Sequence, residues 1–245
     1  SKRLGRKLEA YDIWYDGFKP RSNLDEAKLD AQIQKLYPNA EAFKAGLPSL
    51  LTHLGFTPER ANEICDKIAV DAARGSGHAW GAAMKGQQSH LRTRIPAEGM
   101  NYKGYNIAVH EFGHNVEQTI SIYNVDNFMM AGVPNTAFTE ALAFVFQKRD
   151  LQLLGIENND PEKDKMYILD KFWSLYEIMG VSMLDISIWE WLYANPNATA
   201  EQLKEASISL SKEIWNKYYA PVFGKKDETV LAVYSHMISY PLYLS

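Results

Sequence analysis

Apolar positions recur at helical spacing along most of the chain, and the breaks between them fall at proline, glycine and cap-type residues. That pattern predicts a mainly helical protein. The stretch 24–37 follows cap-type Ser22 and Asn23 and stops at Pro38, and 40–54 comes next, with an interruption expected near Gly46 and Pro48. Thr57 and Pro58 open a helix expected to run to about residue 73, with proline at the first helical position. A helix is predicted over 106–118, which lacks proline and carries Ile107, Ala108, Val109, Phe112 and Val116. Another, over 135–146, begins at Asn135 just after Pro134. The segment 163–194 is long, apolar and rich in Trp and Tyr; 199–219 opens with Thr199 and Gln202 at capping-box spacing; 227–240 is the last helix. Only 77–96 reads as sheet, where Arg92 and Arg94 alternate with Leu91, Thr93 and Ile95 in the period of two that suggests an edge strand. The stretches 158–161 and 194–197 are turns, and there is no internal repeat, heptad run or low-complexity segment.

Composition narrows the class. The chain has 245 residues, 46% of them hydrophobic, enough for a substantial core. A formal charge of −4 gives no basic footprint for nucleic acid or for an anionic membrane. A single cysteine excludes an intrachain disulfide and leaves the compartment open. No apolar run is long enough to span a bilayer, and residues 1–6 are not followed by the apolar core of a signal peptide. The expectation is a soluble chain, with the cytoplasm favoured and the oligomeric state open.

The most informative stretch is His110-Glu111-Phe112-Gly113-His114. Residues four apart share one face of a helix, so both imidazoles can reach one metal ion, with Glu111 beside that face. Gly113 is a poor helix former, and a glycine tolerated there implies that something packs closely against it. A catalytic zinc takes three protein ligands and keeps one position open. Glu140 is the candidate for the third, being the only charge between Asp126 and Lys148 and lying in an apolar helix where an unpaired carboxylate would be costly to bury. Glu117, three residues after His114, is a rival that more readily supports the site or faces solvent. Near the C-terminus, His236, Tyr240 and Tyr243 fall at i, i+4 and i+7, although Pro241 would end or kink a helix there. They read either as hydrogen-bond donors to an oxyanion or as a core-facing aromatic stripe.

His110 and His114 followed by Glu140 resemble the two-histidine, one-glutamate zinc peptidases called gluzincins, and within them the thimet oligopeptidase and oligoendopeptidase F family. Three further segments carry the resemblance: 71–82, with Gly75, Gly77 and Gly81, where the family has a glycine-rich strand along its substrate cleft; 102–108, the approach to the motif; and 236–243. Ala141-Leu142-Ala143 departs from the Pro-Ser common in the family after the glutamate ligand. The resemblance covers roughly 71–243 and implies the catalytic half of a longer family pattern, read as one metallopeptidase unit over 1–245. It implies a mainly α (α+β) zincin-like fold with a small sheet beside the motif helix. It also implies one zinc ion, short peptides as substrates, Glu111 as general base, and His236, Tyr240 and Tyr243 at the oxyanion. Gly77, His78 and Ala79 would then pair with an extended peptide.

Two other classes stay open. One is a peptidase homologue or metal-binding helical domain without turnover; the other is a helical interaction domain with a chance motif, against which the placement of Glu140 discriminates. Gly75, Gly77 and Gly81 do not make a dinucleotide fingerprint. There is no serine nucleophile elbow, and Cys65 reads as a small buried hydrophobe. His53 and His90 read as surface or hydrogen-bonded residues.

Overall fold

The computed structural model describes residues 2–15, 17–18, 25–73, 77–130, 135–156, 161–233 and 235. It is mainly helical with one small sheet, and it divides into two compact units, Asn23–Asn159 on the one hand and Ser1–Ser22 with Asp160–Ser245 on the other. No helix among the described residues is long and apolar enough to cross a membrane.

The Asn23–Asn159 unit holds α1 (Glu26–Leu36), α2 (Ala40–His53), α3 (Pro58–Cys65), β1 (Ile68–Ala73), β2 (His78–Trp80), β3 (Ser89–Arg94), α4 (Tyr102–Asn124), α5 (Thr136–Lys148) and α6 (Asp150–Leu153). Its core joins Ile33 of α1, Phe43 and Leu47 of α2, Ile64 of α3, Leu91 of β3 and Phe112 of α4. Each such side chain contributes about 1.5–3 kcal/mol on burial. Side-chain caps start the helices: Asn39 accepts from the Ala42 N–H, Thr57 from Arg60, Asn101 from Gly104 and Asn135 from Phe138.

Three expectations change. The helix opened by Pro58 ends at Cys65 rather than near residue 73, because Ile68–Ala73 pairs in parallel with β3 from Ile68↔Ser89 onward. The β3 strand is therefore central, not an edge, in the order β1-β3-β2. Its alternation survives because Ser89, Leu91 and Thr93 are buried while His90, Arg92 and Arg94 face outward. The α2 helix runs without interruption through Gly46 and Pro48. The Tyr37 ring lies against Gly46, where a Cβ would come within 2.9 Å of it, so tertiary packing outweighs the local breakers.

The motif helix α4 is longer than predicted and buries Tyr105, Ala108, Val109, Phe112 and Val116. At Gly113 the α5 helix comes close: a Cβ there would sit 2.8 Å from the Ala143 Cα and 3.3 Å from the Phe146 ring. Gly113→Ala gains up to ~1 kcal/mol of helix propensity but must push α4 and α5 apart, an overpacking cost of about 1–3 kcal/mol. Net destabilisation on the order of 1–2 kcal/mol is expected, read as a lower denaturant midpoint. An unchanged or higher midpoint would show that the close approach is not needed.

The second unit comprises a 3-10 turn, Ala10–Trp14, with α7 (Lys163–Ala194), α8 (Ala200–Tyr218), α9 (Ala220–Phe223) and α10 (Val230–Val233). The predicted 163–194 helix and the Thr199–Gln202 capping box are both present. Ile13, Leu184, Ile188, Trp215, Tyr219 and Phe223 form its core. The Tyr219 hydroxyl is inserted into α7, accepting from the Gly180 N–H at 2.7 Å and donating to the Tyr176 carbonyl at 2.6 Å, so those two backbone groups are satisfied through a side chain.

Candidate metal centre

The α4 and α5 helices pack antiparallel, since residue numbers fall along α5 as they rise along α4: Gln147 donates to Asn106, Ala143 meets Gly113, and Glu140 meets His114. This packing turns one sequence face of each helix into one site. The His110 Nε2 lies 3.3 Å from one oxygen of Glu140, and the His114 Nε2 lies 3.4 Å from the other. The two imidazole centroids are 4.9 Å apart and nearly perpendicular, at 82°. One ligand atom from each of the three residues lies within 4.8 Å of the others, and no other such group of His, Cys, Asp or Glu occurs among the described residues.

This donor set fits a metal. Bonds of ~2.0–2.1 Å at tetrahedral angles place neighbouring donor atoms ~3.3–3.4 Å apart, and each histidine Nε2 lies at about that distance from a different oxygen of Glu140. The histidines are shielded, with side chains 16% and 13% exposed, whereas Glu140 is 43% exposed. The apolar turns around Glu140 are thus not a buried lining as the sequence suggested: Phe138 and Val145 are also exposed, and α5 meets the core mainly through Ala143 and Phe146. The Phe144 ring stands edge-on to His110 at 5.0 Å. Burial and the neighbouring His114 push the His110 pKa down, only partly opposed by Glu140, which favours the neutral imidazole that a metal requires.

Glu111 lies beside this cluster. Its pKa is raised to about 7, first by burial and then by the charge of Glu140, and the Ala79 backbone N–H partly offsets both. A carboxyl group that gains and loses its proton near neutrality suits general acid–base chemistry. The same shift has a stability consequence. The folded-state pKa lies above the ordinary value of 4.5, so the metal-free native state holds this proton more tightly than the unfolded chain does. The stabilisation is complete below about pH 4.5 and is lost as pH rises through about 7. In chelator, the melting temperature of the wild type should therefore fall across that window relative to Glu111→Gln. The difference should be on the order of 1–2 kcal/mol, given the solvent that reaches this half-buried group. Parallel pH curves for the two proteins would contradict it.

The β2 strand brings the backbone to Glu111. A Cβ on Gly77 would sit 2.4 Å from the Ile107 Cγ2 and 3.2 Å from the Glu111 Cγ, so glycine permits this contact. Buried Asn115 of α4 donates to the carbonyls of Trp80 and His90, a paired position in β2 and β3, and so holds both strands on the helix. Among the described residues β2 pairs only with β3, leaving its other edge open. The His78 side chain does not join the metal cluster: it is exposed beside Trp80, over whose ring the Arg92 guanidinium carbon lies at 4.6 Å.

The remaining sequence candidates separate clearly. Glu117 is half-buried, with its pKa raised by burial, and is not part of the ligand cluster. His90 is hydrogen-bonded, its Nδ1 being 2.8 Å from Asp71. Cys65 is buried with its thiol pKa pushed up to about 12, which leaves no reactive thiolate. His236, Tyr240 and Tyr243 lie outside the described residues. Sequence reasoning missed Asn106, Gln147 and Asp150, which form a polar ladder beneath His110. A signal existed: Gln147 is seven residues beyond Glu140, and Asn106 four before His110, each on the same helical face as its ligand.

No protein-family model, curated protein or solved structure matches the chain.

Proposed function

We propose that the protein is a zinc-dependent peptidase acting on short peptides, with His110, His114 and Glu140 as metal ligands and Glu111 as general base. The observation that carries the reading is the convergence of those three ligand side chains, from two helices, beside a carboxyl group with a raised pKa. When bound, zinc would supply a Lewis acid and lower the pKa of a coordinated water toward ~7.

The chain's own residues would do the rest. Glu111 takes a proton from the attacking water and delivers it to the departing amine, acting first as base and then as acid. Its half-buried carboxylate follows His110 by one helical position and is not one of the three clustered ligands, so it would be available to a water held at the site. The open edge of β2, with Gly77 and Ala79 beside Glu111, suits an extended peptide added as a further strand, an arrangement that holds the scissile bond by main-chain hydrogen bonds. His236, Tyr240 and Tyr243 enter as oxyanion donors through the family resemblance.

Protein purified without a histidine tag and never exposed to chelator should carry about one zinc per chain. It should also cleave members of a mixed peptide library, with activity removed by chelator and restored by zinc. Folded protein without metal would overturn the proposal; metal-loaded protein that cleaves nothing would reduce it to a metal-binding domain.

A further inference from the structure

The polar ladder beneath the metal centre has a forced direction. The Asp150 carboxylate is buried and receives the Tyr102 hydroxyl and the Asn106 Nδ2 at its Oδ2 and the Leu151 N–H at its Oδ1, each at 2.6 Å. A carboxylate only accepts, so the Asn106 amide must turn its NH2 toward Asp150 and its carbonyl away. That carbonyl receives the Gln147 Nε2 at 2.8 Å. Gln147 thus gives one of its two amide hydrogens to Asn106, and its carbonyl oxygen, on the other arm of the amide, is the acceptor it can offer to a further partner. Amide orientations are assigned from such networks, and here each one follows from the one before.

The next group along is His110. Its Nδ1 is buried and has no hydrogen-bond partner, and the Gln147 side chain works to raise the pKa of this ring, as a nearby acceptor does. A buried ring nitrogen without a full partner is costly, and a metal-binding histidine ordinarily donates its second N–H to an oxygen that fixes its tautomer.

We propose that Gln147 is a positioning residue for the metal centre: its carbonyl oxygen accepts the Nδ1 proton of His110, so that the unprotonated Nε2 is turned toward His114 and Glu140. Orientation set at Asp150 is thereby passed through Asn106 and Gln147 to the metal-facing nitrogen. The ladder also ties α5 to α4 on the side of His110 opposite Glu140. One helix thus supplies both a ligand and the support for a ligand on the other. This assignment rests on the metal-binding reading of the site.

The test is zinc affinity, measured by chelator competition, for the wild type, Gln147→Leu and Gln147→Glu. Leucine removes the acceptor, and zinc binding should weaken on the order of 10–100-fold. Glutamate keeps an oxygen for the ring but loses the donor to Asn106, so its zinc affinity should fall clearly less than that of Gln147→Leu. Circular dichroism and melting of the metal-free proteins check that each variant folds. In the zinc-loaded wild type, nitrogen-15 spectra of labelled histidine should show a slowly exchanging Nδ1 proton on His110, and Gln147→Leu should lose that protection. Equal zinc affinity in the wild type and Gln147→Leu, equal weakening in both variants, or a His110 Nδ1 without a protected proton would each overturn the assignment while leaving the metal site standing. A wild type that binds no zinc would overturn the site, and this assignment with it.

Discussion

Glu111→Gln should abolish peptide hydrolysis while leaving both fold and zinc content intact. The amide is nearly isosteric with the carboxylate but cannot take a proton from water, and positioned general bases contribute ~10²–10⁴-fold. Glu111 is not one of the three clustered ligands, so the metal should stay. Its carbonyl oxygen can still face the Ala79 N–H, which keeps β2 in place. The variant should also be the more stable protein at neutral pH without metal, because it lacks a half-buried carboxylate that would ionise beside Glu140. Higher stability with lost turnover is the signature of a residue kept for chemistry. Turnover near that of the wild type, on a peptide the wild type cleaves, would dismiss Glu111 as the base.

Glu140→Ala should have the opposite profile: the fold persists and the metal is lost. Supporting groups around a metal commonly account for 10–100-fold in affinity, so removing a direct ligand should weaken zinc binding by more than ~100-fold. The carboxylate is 43% exposed and Ala is a good helix former, so the metal-free protein should melt close to the wild type. The contrast appears on adding zinc. A ligand at a hundred times its dissociation constant stabilises the native state by ~2.7 kcal/mol. The wild type should show that rise in melting temperature, and Glu140→Ala should not. Equal zinc-dependent stabilisation of the two proteins would remove Glu140 from the ligand set, and with it the convergence on which the proposed activity rests.

Local pattern alone determined a good part of this protein. The placement of His110 and His114 on one helical face follows from a period of 3.6, and the caps at Asn135 and Thr199 were readable because a cap acts within three residues. Gly113 announced a close packing partner, and Ala143 is that partner. Glu140 stood out as a lone charge, although the reason first given for it, burial in an apolar lining, does not hold on a helix whose Phe138 and Val145 are exposed. What the tertiary structure decided involves partners far apart in sequence. Residues 68–73 become a strand because β3 supplies the hydrogen bonds, and a parallel partner about twenty residues away leaves no local trace. The α2 helix passes through Pro48 because its packing outweighs one missing donor. The raised pKa of Glu111 arises from burial and from a charge on another helix. The ladder from Asp150 through Asn106 to Gln147 exists only because α5 and α6 fold back on α4, aligning donors and acceptors more than forty residues apart. Helical periodicity fixes which face a residue occupies; only the packing of two such faces fixes which atoms meet across them.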